Sequence, residues 1–188
     1  MTEQQKSFSI KEFRPTIVFL LKFVGIYLVG NILYGLYITK YHPGVDPVTH
    51  WVTSNTVAVL NVCGSPSSYQ DYPLRPTTSI ISEGETILLV YEGCNGLNTI
   101  IIFVAFVVSF GPLNKRIAWF IPLGILVIHL MNLLRISLLF GISQHMPQYM
   151  YFTHKYLFTA FLYFVIFMLW IWWVKMNKTT MENANVSV

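Results

Sequence analysis

The sequence predicts an all-α membrane protein with about four transmembrane helices and a small extracytoplasmic segment between the first two. Of its 188 residues, 54% are apolar and only 11% are charged, whereas soluble domains carry about 25% charged residues. The mean hydropathy of +0.56 excludes a disordered chain, a basic nucleic-acid-binding domain and an ordinary soluble enzyme. The second observation is four apolar stretches of membrane-span length, and the third is basic residues gathered at alternate ends of them. We expect one integral membrane domain over residues 1–188.

The four predicted spans lie at about residues 16–39, 96–110, 117–143 and 155–174. The first is too long for a signal peptide and no small-residue cleavage site follows it, so we interpret it as an uncleaved anchor. The second is short but almost unbroken. The fourth ends in Trp170, Trp172 and Trp173, a cluster typical of the membrane–water interface.

If the chain crosses the membrane four times, seven basic residues fall on one side. They are Lys6, Lys11, Arg14, Lys115, Arg116, Lys175 and Lys178. The positive-inside rule makes that side the cytoplasm, so both termini are predicted to be cytoplasmic. Lys22 lies near the same end of span one and would snorkel toward it. The excess of 12 basic over 8 acidic residues is too small and too scattered to predict a nucleic-acid partner.

The outer segment, about residues 40–94, contains two predicted elements. Residues 45–62 have apolar positions at helical spacing, which predicts a short helix lying on the membrane surface. The alternative is a loop packed on the ends of the spans. Residues 63–79 are rich in Pro, Ser and Gly and are predicted to form a loop. Residues 86–91 have strand composition, and Glu83, Gly84 and Glu85 would turn them back on residues 79–81 as a possible hairpin.

Three polar side chains are predicted at one depth, near the outer boundary of the membrane. At 1.5 Å of rise per residue, Cys94 lies roughly 24 Å above the cytoplasmic end of span two, Arg135 roughly 27 Å above the start of span three, and His154 roughly 30 Å above the end of span four. The three come from different helices, so they can converge on one site. His129 is about 18 Å up span three, too deep for that site, and is interpreted as a helix–helix hydrogen-bonding residue. His145, in the outer loop, is not excluded by depth.

Cys94 has the sequence context of a nucleophile. It precedes a helix in Glu-Gly-Cys-Asn-Gly, with Asn95 as a good N-cap, and the helix dipole favours a thiolate at this position. Glu92 would act in the opposite direction. Two alternatives stay open: a disulfide with Cys63, since the outer compartment is oxidising, and an inert buried thiol.

Arg135 stands inside an apolar run, where an arginine is costly and needs a partner or a function. The alternative is that it snorkels to the outer interface. Asn132 lies one turn below and is placed to orient it. The sequence has no His-x-x-x-His, no Cys-x-x-Cys and no Gly-rich phosphate loop, so we expect no metal and no cofactor.

With these residues in place, the sequence resembles the exosortase/archaeosortase family over about residues 86–174, in its short branch of roughly four spans. The family's nucleophile motif, a Cys followed by Ser-Gly at the head of a span, is similar to Cys94-Asn95-Gly96. Its Asn-x-x-Arg-Ile motif matches Asn132 to Ile136, and its histidine at the opening of the next span matches His154. Asn95 in place of the commoner Ser is a departure, and so is Phe158 where a glycine often stands.

The resemblance implies a polytopic cysteine transpeptidase in the cytoplasmic (inner) membrane of a prokaryote, acting at its outer face on C-terminal sorting tails of exported proteins. In that chemistry Cys94 attacks a backbone carbonyl, His154 transfers protons and Arg135 stabilises the oxyanion. Expected partners are exported proteins with a hydrophobic C-terminal tail and membrane lipid, and an accessory subunit is left open. The acceptor, whether lipid, sugar or water, is open as well. Rival interpretations are a simple endopeptidase and a non-catalytic scaffold with a Cys63–Cys94 disulfide.

Overall fold

The computed structural model describes the backbone of residues 10–111 and 114–186, and the side chains of residues 13–111 and 114–177. Lys6 lies outside the described residues, as do the side chains of Lys11 and Lys178. Four helices carry most of the chain: α1 (Ile10–Tyr41), α3 (Leu97–Ser109), α4 (Ile117–His145) and α6 (Phe158–Val186). Between α1 and α3 lie α2 (Pro47–Val62) and the strands β1 (Ser68–Asp71), β2 (Thr77–Ser82) and β3 (Glu85–Tyr91). A short helix, α5 (Met150–Phe152), precedes α6.

Three helical segments in the described part of the chain are long and apolar enough to cross a membrane: Phe13–Tyr41, Ile117–His145 and Pro147–Asn177. Helix α3 is equally apolar but has only 13 residues, or about 20 Å of rise, against the roughly 30 Å of a hydrocarbon core. The multi-pass membrane architecture is therefore shown, and the fourth crossing stays a prediction.

Helix α3 is the centre of the helical bundle, in contact with α1, α4 and α6. Phe103 and Val107 on α3 are fully buried, together with Phe120 of α4 and Trp173 of α6. The Phe103 ring of α3 packs directly over Gly124 of α4, where a Cβ would fall on the ring. A short helix enclosed by three others exposes little backbone, which fits its unbroken apolar sequence.

The tryptophans of α6 correct one expectation. Trp173 is fully buried and its indole Nε1 donates to the Phe110 carbonyl at 3.2 Å, while Trp170 stacks on Phe106 at 4.3 Å between centroids. Only Trp172 of the three is exposed. The cluster forms mainly a packing contact with α3 rather than an interfacial belt, because two of the three indoles face the neighbouring helix.

The outer segment contains the predicted helix and hairpin, plus one strand that was not predicted. Helix α2 begins at Pro47, and the Asp46 side chain caps it by accepting from the backbone N–H of Val48 and Thr49. Strands β2 and β3 form the hairpin, with Glu83 and Gly84 at positive φ in its two-residue turn, as type I′ turns require. The loop prediction for residues 63–79 was wrong over β1 and the start of β2. Strand β1 has weak strand composition and depends on its pairing with β2.

Helix α2 and the sheet pack on the C-terminal half of α4. Their shared core comprises Val52 and Leu60 from α2, Ile80 and Val90 from the sheet, and Ile136 and Phe140 from α4. Cys94 belongs to the same buried cluster. The outer segment is thus a small folded cap on one end of the bundle, and the candidate site lies beneath it.

Candidate active site

Cys94 closes the turn that joins the sheet to α3. After β3 the chain forms a single 3-10 turn, Glu92–Cys94, then passes through Asn95 and Gly96 into the helix. Gly96 has φ of 82°, a left-handed conformation that glycine adopts at no steric cost. Cys94 is 5% exposed. Both cysteines are free thiols, and Cys63 is exposed at the end of α2, so the structure contains no Cys63–Cys94 disulfide.

Two asparagines hold this turn, in ways that differ from the sequence predictions. Gly96, not Asn95, is the N-cap residue of α3, but the Asn95 Oδ1 accepts the Leu97 N–H at 2.9 Å and so caps the helix from one residue further back. Asn132 was expected to orient Arg135. Its Nδ2 instead donates to the Cys94 carbonyl at 2.8 Å. Asn132 therefore ties the backbone of Cys94 to α4.

His154 stands beside the thiol. Its Nε2 lies 3.8 Å from the Cys94 Sγ, within reach of a sulfur hydrogen bond. The residue belongs to a π-helical turn, Thr153–Leu157, immediately before α6. Such turns widen the helix by one residue and occur frequently at functional sites. Here the turn is the element that presents the imidazole to Cys94.

Arg135 is buried beside the same site. Only 8% of its surface is exposed, and its Nε has no partner within the described residues. Arg135 and His154 line one cavity of about 470 Å³, together with Tyr91 and Gly93 next to Cys94. A buried guanidinium that faces a cavity does not fit the snorkelling alternative. Its donors are available to whatever occupies the cavity.

The electrostatics of the thiol correct a second expectation. The helix dipole led us to expect a favoured thiolate, but burial raises the pKa of Cys94, and this outweighs the lowering by Arg135 and by the neighbouring Tyr91. Glu92 raises the pKa further, as the sequence predicted. Burial therefore favours the protonated thiol over the thiolate.

Sequence reasoning missed the polar network behind Cys94. The Asn95 Nδ2 donates to the Thr49 hydroxyl at 3.2 Å and to the Tyr34 hydroxyl at 3.4 Å. Thr49 is fully buried and donates in turn to the Asp46 carboxylate, while Tyr34 donates to the Glu92 carbonyl at 2.9 Å. Tyr34 within the apolar run of α1 was the available signal. Nothing in the sequence marks Thr49, which reaches Asn95 only through tertiary packing.

Tyr91 is the second residue that was missed. It ends β3 and lines the cavity with Arg135 and His154, and its proximity to Cys94 lowers the pKa of that thiol. The Tyr91 ring covers Gly93 so closely that a Cβ there would fall on it. Its proximity to Cys94 in the sequence was the available signal.

His129 and His145, the other two histidines considered for the site, lie away from the cavity. His129 stacks on the Trp51 ring at 4.4 Å between centroids and lies 3.5 Å from the Asn55 amide, so it makes the predicted contact between helices, here from α4 to α2. His145 is exposed at the end of α4. Within the described residues, no three His, Cys, Asp or Glu side chains are grouped as a metal site requires.

Comparison with known proteins gives one finding. A family model described as transmembrane exosortase (Exosortase_EpsH) matches residues 14–173. The match extends from α1 almost to the end of the described side chains, and it includes Cys94, Arg135 and His154. No curated protein and no solved structure matches the chain.

Proposed function

Since the chain belongs to the transmembrane exosortase family, a family of cysteine-type membrane transpeptidases, we propose that it cleaves C-terminal sorting tails of exported proteins through a thioester on Cys94. The observation that carries the proposal is the 3.8 Å separation between the Cys94 Sγ and the His154 Nε2. Arg135 lines the same cavity as His154 and supplies the hydrogen-bond donor that acyl transfer needs for its oxyanion.

In the first half-reaction, His154 takes the proton from the Cys94 thiol as the sulfur attacks the carbonyl carbon of the scissile peptide bond. The carbonyl oxygen becomes an oxyanion that accepts hydrogen bonds from Arg135. When the intermediate collapses, the C–N bond breaks and the imidazolium of His154 protonates the leaving amine. The tail departs with a new N-terminus, and the exported protein stays bound to Cys94 as a thioester.

In the second half-reaction, an acceptor with an amine or hydroxyl group enters the cavity. His154 removes its proton, the acceptor attacks the thioester carbon, and the C–S bond breaks with return of the proton to sulfur. Cys94 is regenerated. With water as the acceptor the same steps are a hydrolysis, so the two reactions differ only in which nucleophile reaches the cavity.

We place this site at the outer face of a prokaryotic cytoplasmic membrane, with both termini in the cytoplasm. The basic residues Arg14, Lys115, Arg116 and Lys175 all lie at the end of the bundle opposite Cys94, which supports this orientation under the positive-inside rule. A substrate with an apolar tail would diffuse in the plane of the membrane and reach the cavity between α3, α4 and α6.

The test replaces each cysteine in turn. Cys94→Ala is expected to abolish processing of a tail-bearing substrate in membranes while the protein still accumulates. Cys63→Ala is the matched control and should retain substantial activity, because Cys63 is exposed at the end of α2 and remote from the cavity. Equal loss of activity and of abundance in both variants would contradict the proposal and favour a disulfide scaffold, as would quantitative protection of Cys94 from alkylation without reductant. The mass of the product's new C-terminus separates transfer from hydrolysis.

A further inference from the structure

A second cavity lies at the opposite end of the bundle from Cys94. It has a volume of about 680 Å³ and is enclosed by the start of α1, the end of α3 and the end of α6. It shares no lining residue with the cavity beside Cys94. The 13 residues of α3, about 20 Å of rise, separate the two. Its wall is mainly apolar, with Val18, Phe19 and Val174 among its residues.

Two polar groups on this wall point to a ligand. Lys22 projects from an apolar stretch of α1, and none of the described acidic side chains pairs with it. Ser109 is 5% exposed, and its hydroxyl has no hydrogen-bond partner in the described structure. By contrast, the Asn177 amide on the same wall is satisfied, since it accepts from Asn114 and donates to the Trp173 carbonyl. Within the described structure, the Lys22 ammonium and the Ser109 hydroxyl therefore have no polar partner beside this apolar space.

The chemistry of this pair selects the ligand. Snorkelling brings the ammonium of Lys22 to the level of the lipid headgroups, and the described wall of the cavity contains no carboxylate to pair with it. A phosphate would neutralise the ammonium and accept from the hydroxyl. The surrounding apolar space needs a hydrocarbon occupant. Basic pockets between transmembrane helices on the cytoplasmic side are sites for anionic lipid headgroups.

We propose that this cavity binds an anionic phospholipid of the cytoplasmic leaflet, the leaflet being assigned by the orientation proposed above. Its phosphate pairs with Lys22, an oxygen of its headgroup accepts from Ser109, and an acyl chain fills the apolar part. Helix α1 packs mainly against α3, so a lipid seated between α1, α3 and α6 would also attach α1 to the bundle.

The test uses the full chain purified in a neutral detergent, with lipid adducts counted by native mass spectrometry. Phosphatidylglycerol is expected to bind in preference to phosphatidylcholine of the same acyl chains, and to raise the midpoint of thermal unfolding. Lys22→Gln should weaken phosphatidylglycerol binding about fivefold, which corresponds to about 1 kcal/mol. Val18→Trp should weaken it as well, because the indole occupies the apolar space while Lys22 remains.

Arg14→Gln is the matched control, since Arg14 is an exposed basic residue about two turns before Lys22 on α1 and is not on the cavity wall. It should leave phosphatidylglycerol binding unchanged. Equal weakening by Arg14→Gln and Lys22→Gln would overturn the proposal in favour of diffuse surface charge. Equal binding of the two lipids would overturn it too, and so would binding of glycerophosphate as tight as that of the lipid. Cys94-dependent processing is measured separately, so a failure here is distinct from a failure of the proposed function.

Discussion

The substitution Arg135→Lys tests whether Arg135 acts through its positive charge or through its planar set of hydrogen-bond donors. Lysine keeps the charge and nearly the length of arginine, but it is a flexible point donor that cannot form two parallel hydrogen bonds. The difference between the two side chains as hydrogen-bond donors matters here, because Arg135 is 8% exposed and lines the same cavity as His154. If Arg135 serves only as a cation, lysine should replace it.

The magnitude follows from the role proposed for the guanidinium. Loss of one oxyanion donor costs about 3 kcal/mol of transition-state stabilisation. Lysine retains one donor in a less fixed geometry, so we expect a smaller loss, of at least about tenfold in rate or roughly 1.4 kcal/mol of barrier. Folding should not suffer, because the substitution removes an Nε–H that is buried without a partner in the described structure.

The assay is turnover of a tail-bearing substrate in membranes, normalised to enzyme abundance, with Arg75→Lys on the exposed β1–β2 connection as the control. Alkylation of Cys94 against pH is measured alongside. The positive charge of Arg135 lowers the pKa of Cys94, and lysine keeps that charge, so the alkylation profile should stay close to that of the wild type while turnover falls. Wild-type turnover by Arg135→Lys would refute the oxyanion role.

Two further predictions concern the residues that sequence reasoning missed. Thr49→Val removes the hydroxyl that joins Asn95 to Asp46, so it should cost about 1–3 kcal/mol of stability and lower turnover, whereas Thr49→Ser should retain both. Thermal unfolding and turnover are measured for both variants, and equal behaviour of the two would contradict the prediction. Tyr91→Phe removes the hydroxyl group of a side chain that lowers the pKa of Cys94, so the pH profile of Cys94 alkylation should move to higher pH. An unmoved profile would show that the hydroxyl does not act on the thiol.

The sequence alone predicted the long helices and a common axial level for the three candidate site residues. Spans can be predicted because a bilayer demands long apolar runs, and the axial position of a residue can be counted because the helical rise is constant. That count placed Cys94, Arg135 and His154 at one level, and the structure brings the Cys94 thiol within 3.8 Å of His154. The hairpin was predictable because Gly84 marks a turn whose backbone geometry requires positive φ.

Tertiary structure decided everything that depends on how segments face one another. Helical rise sets the height of Asn132 but not its partner, which is the Cys94 carbonyl rather than Arg135. Tryptophan is typical of the membrane–water interface, yet the position of Trp173 around the axis of α6 directs its indole to the Phe110 carbonyl at the end of α3. The pKa of Cys94 is raised because the thiol is buried in the cluster that α2, the sheet and α4 form together, and that burial outweighs the lowering by Arg135. The local sequence determines the axial position of a residue along its helix and the propensity of a segment for helix or strand. The direction in which a side chain points, its hydrogen-bond partner and its loss of solvent depend on how distant segments pack together.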